Sequence, residues 1–305
     1  MRAAALGAIL VIIYTALISS ADAITKLIAG GYSAPQLFCL SGLIVVSLCA
    51  LADRHRSQQR GFCTTCPRAT ALRAGATVLA AVSFFYAFRH LPFAEVFLFI
   101  GLMPILAGLM SGLVLGEHVR PAAWAALVAG FIGVMCLFPT GLGAATMGHG
   151  FALAAAIFGT LSMIMARYIG RFETNSLAQV FYPNLAIFGV MALALPFVWR
   201  PMPLADLGLV VAYAALLFGA RWLLVVALRL LAAYAVTPLM NLQFVWMVVL
   251  GAVFFGEFPA PGTYLGVAIV IGSGLFLVWD QFTSAGSRGT IPSLSWRIPR
   301  FKTDP

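Results

Sequence analysis

Long charge-free runs of apolar residues dominate the chain and define its predicted elements. A transmembrane helix needs about 20 apolar residues, and a charge at its centre is costly. Ten runs approach or exceed that length, five in each half of the chain: Ala3–Ala21, Pro35–Ala52, Ala74–Phe88, Val96–Gly116, Pro121–Met147, Gly150–Ala166, Thr174–Trp199, Leu207–Ala220, Leu230–Gly256 and Phe258–Trp279. The third and eighth runs need their neighbouring arginines, and we expect Arg73 and Arg89 to reach the lipid interface. The pattern predicts an all-α integral membrane protein with ten transmembrane helices.

Composition supports the membrane prediction and excludes other classes of protein. Hydrophobic residues make up 62% of the 305 residues and charged residues only 9%, whereas soluble domains carry about 25% charged residues. Such a chain cannot cover a water-exposed surface, which excludes a soluble enzyme, a nucleic-acid-binding protein and a disordered protein. The net charge of +9 comes from bases that lie between the apolar runs, as expected for loops that face the cytoplasm.

The distribution of lysine and arginine predicts the orientation in the membrane. With a cytoplasmic N-terminus, fourteen of the 18 bases fall on the cytoplasmic side, in agreement with the positive-inside rule. The other four are Lys26, Arg89, Arg200 and Arg221. We therefore expect a multi-pass protein of the cell inner membrane with both termini in the cytoplasm, and we interpret the first run as a helix that is retained.

An internal repeat relates the two halves of the chain. Gly116-Glu117-x-x-x-Pro121 recurs 140 residues later as Gly256-Glu257-x-x-x-Pro261, and Arg89 and Arg229 match at the same offset. Each copy holds five predicted helices, so the second copy must cross the membrane in the opposite sense to the first. The predicted organisation is one repeat over residues 1–140, a second over 141–280 and a basic cytoplasmic tail over 281–305. Inverted repeats of this kind are typical of secondary transporters.

These motifs resemble those of the drug/metabolite transporter superfamily, specifically the ten-helix carriers with two EamA-type repeats. The similarity covers about residues 6–279 and runs through Gly116-Glu117, Pro121, Gln243, Trp246 and Phe255-Gly256-Glu257. The resemblance implies two inverted five-helix EamA repeats. It also implies a substrate cavity enclosed mainly by the first, third, fourth, sixth, eighth and ninth helices, which works by alternating access.

One branch of that superfamily is especially similar. Its carriers have Asp-Ala-x-x-Lys in the first helix, here Asp22 to Lys26, and Pro-x-x-x-x-Gln-x-x-Trp in the ninth, here Pro238 to Trp246. Carriers of opine-type metallophores, riboflavin and S-adenosylmethionine resemble one another at these positions. An arginine often expected in the second helix of the branch is Ser41 here. The branch resemblance favours export of an opine-type metallophore such as pseudopaline, with uptake of riboflavin or S-adenosylmethionine, or amino-acid export, as alternatives.

The first predicted helix carries ionisable residues inside the membrane. Thr15, Ser19, Asp22 and Lys26 share one face, because side chains three and four residues apart lie above one another on a helix. Asp22 precedes Lys26 by four residues, the favourable order for an ion pair within a helix. Intramembrane ionisable residues are expected to have a function. We therefore interpret Asp22 and Lys26 either as coupling or gating residues, with Asp22 as a proton carrier, or as a self-neutralising structural pair.

Arg221 is a charge deep in the eighth predicted helix with no acidic residue within four positions. A guanidinium binds carboxylates in bidentate fashion, so we expect Arg221 to hold a substrate carboxylate with Trp222 beside it. The alternative is a structural ion pair with Asp22 or Glu95. Glu95 opens the fourth helix and is either a coupling or gating residue or an interfacial helix cap.

Three further residues are candidates for contact with substrate. Tyr234 and Asn241 share a face of the ninth predicted helix with Pro238, whose freed backbone carbonyl suits a cavity wall. Asn241 could instead join neighbouring helices. Tyr86 lies on one side of the third helix, where aromatic residues more often belong to the core or the interfacial belt.

Taken together, the sequence predicts a secondary transporter for a small polar metabolite with carboxylate and amine groups. No ATP-binding signature occurs, and Cys63-x-x-Cys66 lacks the second ligand pair of a zinc site. We expect no catalytic residues, cofactor, metal or nucleic acid. The expected partners are the substrate, the lipid bilayer, protons as a coupling ion, and outer-membrane or periplasmic export proteins. The alternatives from other classes are a membrane-embedded enzyme and a passive pore.

The predicted orientation can be tested with reporter fusions. Because basic loops are retained in the cytoplasm, a cytoplasm-active reporter fused after Arg2 or after residue 280 should be active, and a periplasm-active reporter at either place should be silent. A fusion in the short segment around Arg200 serves as the control and should give the opposite pattern. Chain ends on opposite faces of the bilayer would contradict the even number of spans.

Overall fold

The computed structural model describes a bundle of α-helices. It covers residues 2–54, 61–91, 93–116, 146–231 and 242–258, with isolated residues between 121 and 132, between 236 and 240, and between 265 and 276. The helices are α1 (Arg2–Ala29), α2 (Ala34–Arg54), α3 (Pro67–His90), α4 (Phe93–Leu115), α5 (Met147–Ile169), α6 (Ser176–Val198), α7 (Leu204–Leu230) and α8 (Gln243–Phe255). These described parts contain no strand, and the all-α prediction is confirmed.

Six of these helices, α1, α2, α3, α5, α6 and α7, are long and apolar enough to cross a membrane. They correspond to the first, second, third, sixth, seventh and eighth predicted spans, while α4 and α8 lie in the fourth and ninth. The fifth and tenth predicted spans and the tail over 281–305 fall mostly or wholly outside the described residues. The number ten therefore stays a prediction.

Two helices continue through charges that bounded the predicted runs. The first charge-free run stops at Ala21, yet α1 extends to Ala29 and includes Asp22 and Lys26. The eighth run stops at Ala220, yet α7 passes through Arg221 without interruption and ends at Leu230. A charge does not end a helix inside a bundle when neighbouring helices supply hydrogen-bond partners for it.

Local sequence explains where several helices begin and end. Pro67 occupies the first turn of α3, where its missing N–H costs nothing. Thr146 and His149 form a reciprocal capping box at the start of α5. After α4 and α8, Gly116 and Gly256 adopt φ of 61° and 62°. Because this left-handed conformation penalises a Cβ, glycine is the residue that ends both helices.

The helices pack in related pairs. The most extensive contacts join α3 to α5 and α1 to α7, and α2 packs along α6. Further contacts join α4 to α5 and α1 to α8. Since α1 lies against both α7 and α8, and α5 lies against both α3 and α4, helices from the two halves of the chain interleave around the centre of the bundle.

The outward faces of the bundle are apolar. On α6, Val190, Leu193 and Phe197 follow one another at three- and four-residue spacing and are 49%, 77% and 88% exposed. A water-soluble helix of this kind would place polar side chains on its outer face, whereas lipid tails are themselves apolar. This face therefore contacts lipid, and the chain is a multi-pass membrane protein.

The turn between α1 and α2 is tied to the segment that precedes α7. The Tyr32 hydroxyl donates to Asp206 Oδ2 at 2.5 Å. Gln36 Nε2 donates to the backbone carbonyl of Arg200 at 2.5 Å, and Gln36 Oε1 accepts from the Arg200 N–H at 3.1 Å. The hydrogen bond to the Asp206 carboxylate raises the pKa of the Tyr32 phenol, because it stabilises the protonated form.

Two glycines allow close approach between the halves of the chain. A Cβ built on Gly7 of α1 would lie 2.8 Å from Leu231 Cγ, and one built on Gly148 of α5 would lie 2.9 Å from Leu91 Cγ. Leu91 and Leu231 are the residues that follow α3 and α7. Small residues at such points let helices come close enough for van der Waals packing.

Adding a methyl group at Gly148 should disturb this contact. We expect Gly148→Ala to destabilise the protein by about 1–3 kcal/mol, because the methyl overpacks against Leu91. The measurement is the unfolding temperature of the purified protein in detergent. Gly150→Ala is the matched control, since its Cβ would meet nothing within 4 Å, and it should not lower that temperature. Equal stability of the two variants would contradict the close packing described here.

Candidate functional site

A cavity of about 190 Å³ lies at the centre of the bundle. Every described helix contributes to its wall, including all six of the spans that the family resemblance implies, together with Phe38 of α2 and Gln179 and Pro183 of α6. Much of the lining is apolar or aromatic. The polar and charged side chains in the wall are Tyr14, Asp22, Thr25, Arg73, Thr77, Ser162, Gln179, Tyr213, Arg221 and Gln243. An apolar chamber with a few placed polar groups is typical of small-molecule sites.

Asp22 supplies the carboxylate in the cavity wall. Its Oδ2 accepts a hydrogen bond from Gln243 Nε2 of α8 at 2.9 Å. The backbone carbonyl of Gln243 in turn accepts from the Ser19 hydroxyl of α1 at 3.3 Å. Gln243 thus lies in the wall and holds Asp22 in position. Its spacing from Trp246 in the branch motif gave no indication of this contact.

Lys26 does not pair with Asp22, and the expected ion pair within α1 is wrong. Lys26 Nζ instead lies 2.6 Å from Glu257 Oε1, just beyond the end of α8. The ammonium group also lies 5.1 Å from the ring centroid of Phe93 and 4.9 Å from that of Phe255, at cation–π distance. Glu257 and the two aromatic rings together stabilise the Lys26 ammonium, whereas Asp22 is already engaged by Gln243.

Glu257 joins three helices at this end of the bundle. While its Oε1 binds Lys26 of α1, its Oε2 accepts from the backbone N–H of Phe93 at the start of α4, at 3.3 Å. Its own N–H donates to the Gly251 carbonyl of α8 at 3.0 Å. We call Lys26 and Glu257 the Lys26–Glu257 clasp. The clasp fixes α1, α4 and α8 relative to one another, one turn of α1 away from Asp22.

Arg221 lies in the cavity wall. Its Nη1 donates to Asn184 Oδ1 of α6 at 2.8 Å. The Asn184 amide nitrogen donates to the Val180 carbonyl at 2.7 Å, which orients the amide. Within the described residues, Arg221 forms no ion pair with Asp22, so the structural pairing considered for these two residues is wrong.

Arg73 is the residue that the sequence interpretation missed. It was expected at the lipid interface, but it is only 7% exposed and lines the cavity. Its Nη1 donates to Gln179 Oε1 at 2.6 Å. The available signal was periodicity, because Arg73, Thr77, Phe84 and Phe88 fall on one side of α3 and all line the chamber.

The remaining predicted site residues lie away from the cavity or outside the described residues. Tyr86 stacks on Phe151 with ring centroids 5.3 Å apart, and it does not line the cavity. Trp222 packs edge-on against Phe218 at 5.7 Å, away from the chamber, because successive residues of a helix point about 100° apart. Tyr234, Asn241 and the side chain of Glu95 fall outside the described residues.

The described residues contain no group of three His, Cys, Asp or Glu side chains arranged to hold a metal ion. Cys66 ends the loop before α3 as the cap of that helix, and Cys63 is exposed. The chemistry available in the cavity is therefore that of two guanidiniums, a carboxylate, amides, hydroxyls and aromatic rings. Such groups can hold a ligand through ion pairs, hydrogen bonds and ring contacts.

Three comparisons relate the chain to known proteins. Residues 5–138 match the model of the EamA-like transporter family. A riboflavin transporter of Rhizobium johnstonii is 31% identical over 183 residues, which is 58% of this chain and 59% of the relative. A riboflavin transporter of Vibrio cholerae serotype O1 is 26% identical over 186 residues, 61% of this chain and 62% of the relative. The chain thus spans about three fifths of the length of these curated relatives.

A solved crystal structure shares the fold over a longer stretch. It superposes with a TM-score of 0.70 at 20% sequence identity, and the match covers 91% of this chain and 98% of the other. The family match over residues 5–138 and the two relatives confirm the resemblance to EamA-type transporters seen in the sequence.

The Lys26–Glu257 clasp can be measured with a double-mutant cycle of Lys26→Met and Glu257→Gln. Because the pair is partly shielded from water, we expect a coupling energy of about 1–3 kcal/mol between the surface and buried limits. The readout is thermal or denaturant unfolding in detergent. A second cycle that pairs Arg89→Met with Glu257→Gln should be additive, since Arg89 is exposed. Additivity in the first cycle would contradict the clasp.

Proposed function

We propose that this EamA-type protein of the drug/metabolite transporter superfamily is a secondary transporter. It moves a small polar metabolite through the central cavity by alternating access. In this proposal ten spans form two inverted five-helix repeats, over residues 1–140 and 141–280, followed by a basic tail over 281–305. The protein lies in the inner membrane with both termini in the cytoplasm.

Equivalent features 140 residues apart support the repeat. Leu91 and Leu231 follow α3 and α7 with nearly the same extended backbone, and their N–H groups bond to Ala87 and Ala227 at 2.9 and 2.8 Å. Gly116 and Gly256 share a left-handed conformation. The contacts of α1 with α7 correspond to those of α5 with α3 when the halves are exchanged. Inverted repeats place the substrate at their interface near the membrane midplane.

The observation that carries the functional proposal is the cavity with ionisable groups of both signs in its wall. Asp22 and Arg221 both line it, and they do not neutralise each other. A ligand with an amine for Asp22 and a carboxylate for Arg221 satisfies both. The proposed substrate is therefore a metabolite that carries both groups, with an opine-type metallophore such as pseudopaline, moved by export, as the leading member of that class.

Coupling is proposed to occur through protons. Asp22 is the carboxylate of the described cavity wall, so its protonation changes the charge that the chamber presents to a ligand. Lys26, which belongs to the Lys26–Glu257 clasp, and Glu95, in the first turn of α4, are proposed as gating residues. Export would require a periplasmic or outer-membrane protein to carry the metabolite onward.

A second candidate substrate is riboflavin, moved by uptake. Both curated relatives are named riboflavin transporters, and Phe38, Phe84, Phe88 and Tyr213 line the cavity. Aromatic side chains of this kind suit a planar ring ligand. A membrane-embedded enzyme would release a product that differs from its substrate, and a passive pore would show flux that does not saturate and no acceleration by counter-transport.

Metabolite profiles of cytosol and medium test the transporter proposal. In a strain that lacks the gene, an exported substrate should accumulate inside the cells and fall in the medium, and an imported one should show the reverse. The wild-type gene should restore the profile. Arg221→Lys should lower transport roughly tenfold or more, because an ammonium cannot replace the bidentate guanidinium.

Arg89→Lys is the control for that substitution, since Arg89 is an exposed arginine at the end of α3. It should transport as the parent does. Unchanged profiles in the deletion strain and in a strain that overproduces the protein would contradict the transport function. Full activity of Arg221→Lys would contradict the bidentate contact while leaving transport in place.

A further inference from the structure

The cavity wall holds two guanidiniums, that of Arg73 buried and that of Arg221 half-buried, and only one described carboxylate. Arg73 of α3, Arg221 of α7 and Asp22 of α1 all line the same chamber. Like charges that share a chamber repel each other, and Asp22 supplies one negative charge against the two positive ones.

The partners of both arginines are neutral. Arg73 donates to the Gln179 amide oxygen and Arg221 to the Asn184 amide oxygen, both on α6. Among the described residues, neither guanidinium forms an ion pair with a carboxylate. Arginines with a purely structural role in a membrane usually pair with acidic residues or backbone carbonyls. The amide partners orient each guanidinium without supplying a negative charge.

Unused hydrogen-bond donors occur in the same place. Arg73 Nε and Gln179 Nε2 are buried, and neither has a hydrogen-bond partner in the described structure. Arg73 is 7% exposed and Gln179 only 2%. Buried polar groups without partners are rare because each costs free energy, and here both belong to residues that line the cavity. They point to a ligand that accepts hydrogen bonds.

We propose that Arg73 and Arg221 together bind the acidic end of a substrate that carries two negatively charged groups, while Asp22 faces its cationic or hydrogen-donating part. Two carboxylates, or one phosphate monoester, compensate the two guanidiniums and accept from the free donors. With an amine opposite Asp22, such a substrate brings the charge of the site to zero. The inference rests on the proposed transport function, and it names Arg73 as a specificity-determining residue.

The experiment uses the full-length protein in liposomes that are loaded with a protein-free cell extract. Mass spectrometry identifies the compounds lost from these vesicles and not from protein-free vesicles. We expect the compounds lost through the wild-type protein to carry two acidic groups, and their masses distinguish dicarboxylates from phosphate monoesters. Arg73→Gln should reduce their loss roughly tenfold or more, because one charge-assisted contact is removed.

The control is Arg89→Gln, the same substitution at an exposed position of the same helix, which should behave as wild type. Arg73→Lys keeps the positive charge and should retain part of the activity. The unfolding temperature and reconstituted amount of each variant exclude a folding defect as the cause of any loss.

Three results would overturn the inference. If the wild-type protein releases compounds with one acidic group or none, the two-arginine site is wrong and the transporter proposal stands. If Arg73→Gln releases the doubly acidic compounds as fast as wild type, Arg73 does not bind them. If no compound leaves the wild-type vesicles, the transport function itself fails, and this inference fails with it.

Discussion

A charge inside an apolar bundle must find a partner there, and this constraint shapes the rest of the structure. Lys26, Asp22, Arg221 and Arg73 all lie within helices that cross the membrane. Each has a partner on another helix or directly after one: Glu257, Gln243, Asn184 and Gln179 respectively. Because lipid offers no hydrogen bonds, these contacts fix which helices become neighbours. The same contacts allow α1 and α7 to continue as helices through positions that interrupt their apolar runs.

The three bases have two kinds of partner, a carboxylate for Lys26 and neutral amides for Arg73 and Arg221, and only the second kind occurs in the cavity wall. Lys26 meets a carboxylate and two aromatic rings and lies outside the cavity wall. Its charge is compensated within the protein, and the result is a clasp that joins three helices. Arg73 and Arg221 meet neutral amides inside the wall. Their charges stay available to a ligand, which is why the cavity, and not the clasp, carries the functional proposal.

Helix α6 has a central place in this arrangement although it contributes few side chains to the wall. Gln179 and Asn184, five residues apart on α6, each accept from one arginine. The outer face of the same helix presents Leu193 and Phe197 to lipid. One helix therefore anchors the bundle in the membrane and sets the orientation of both guanidiniums. A movement of α6 relative to α3 and α7 would alter the two arginine contacts together, which offers a physical route from helix motion to ligand affinity in the proposed alternating-access cycle.

The sequence by itself determined the membrane class, the places of the described spans and the presence of two charges, Asp22 and Arg221, within or beside apolar runs. Apolar run length and the cost of an isolated charge depend on composition and local spacing, which a sequence displays directly. Only the tertiary structure decided which side chains on different helices become hydrogen-bond or ion-pair partners. Lys26 binds Glu257, 231 residues away, and Arg73 binds Gln179 instead of reaching the interface. The relative position of two side chains three residues apart on one helix is fixed by helix geometry. A contact with a side chain on another helix depends on how the whole bundle packs. Interhelical contacts of this kind leave no local signal in the chain.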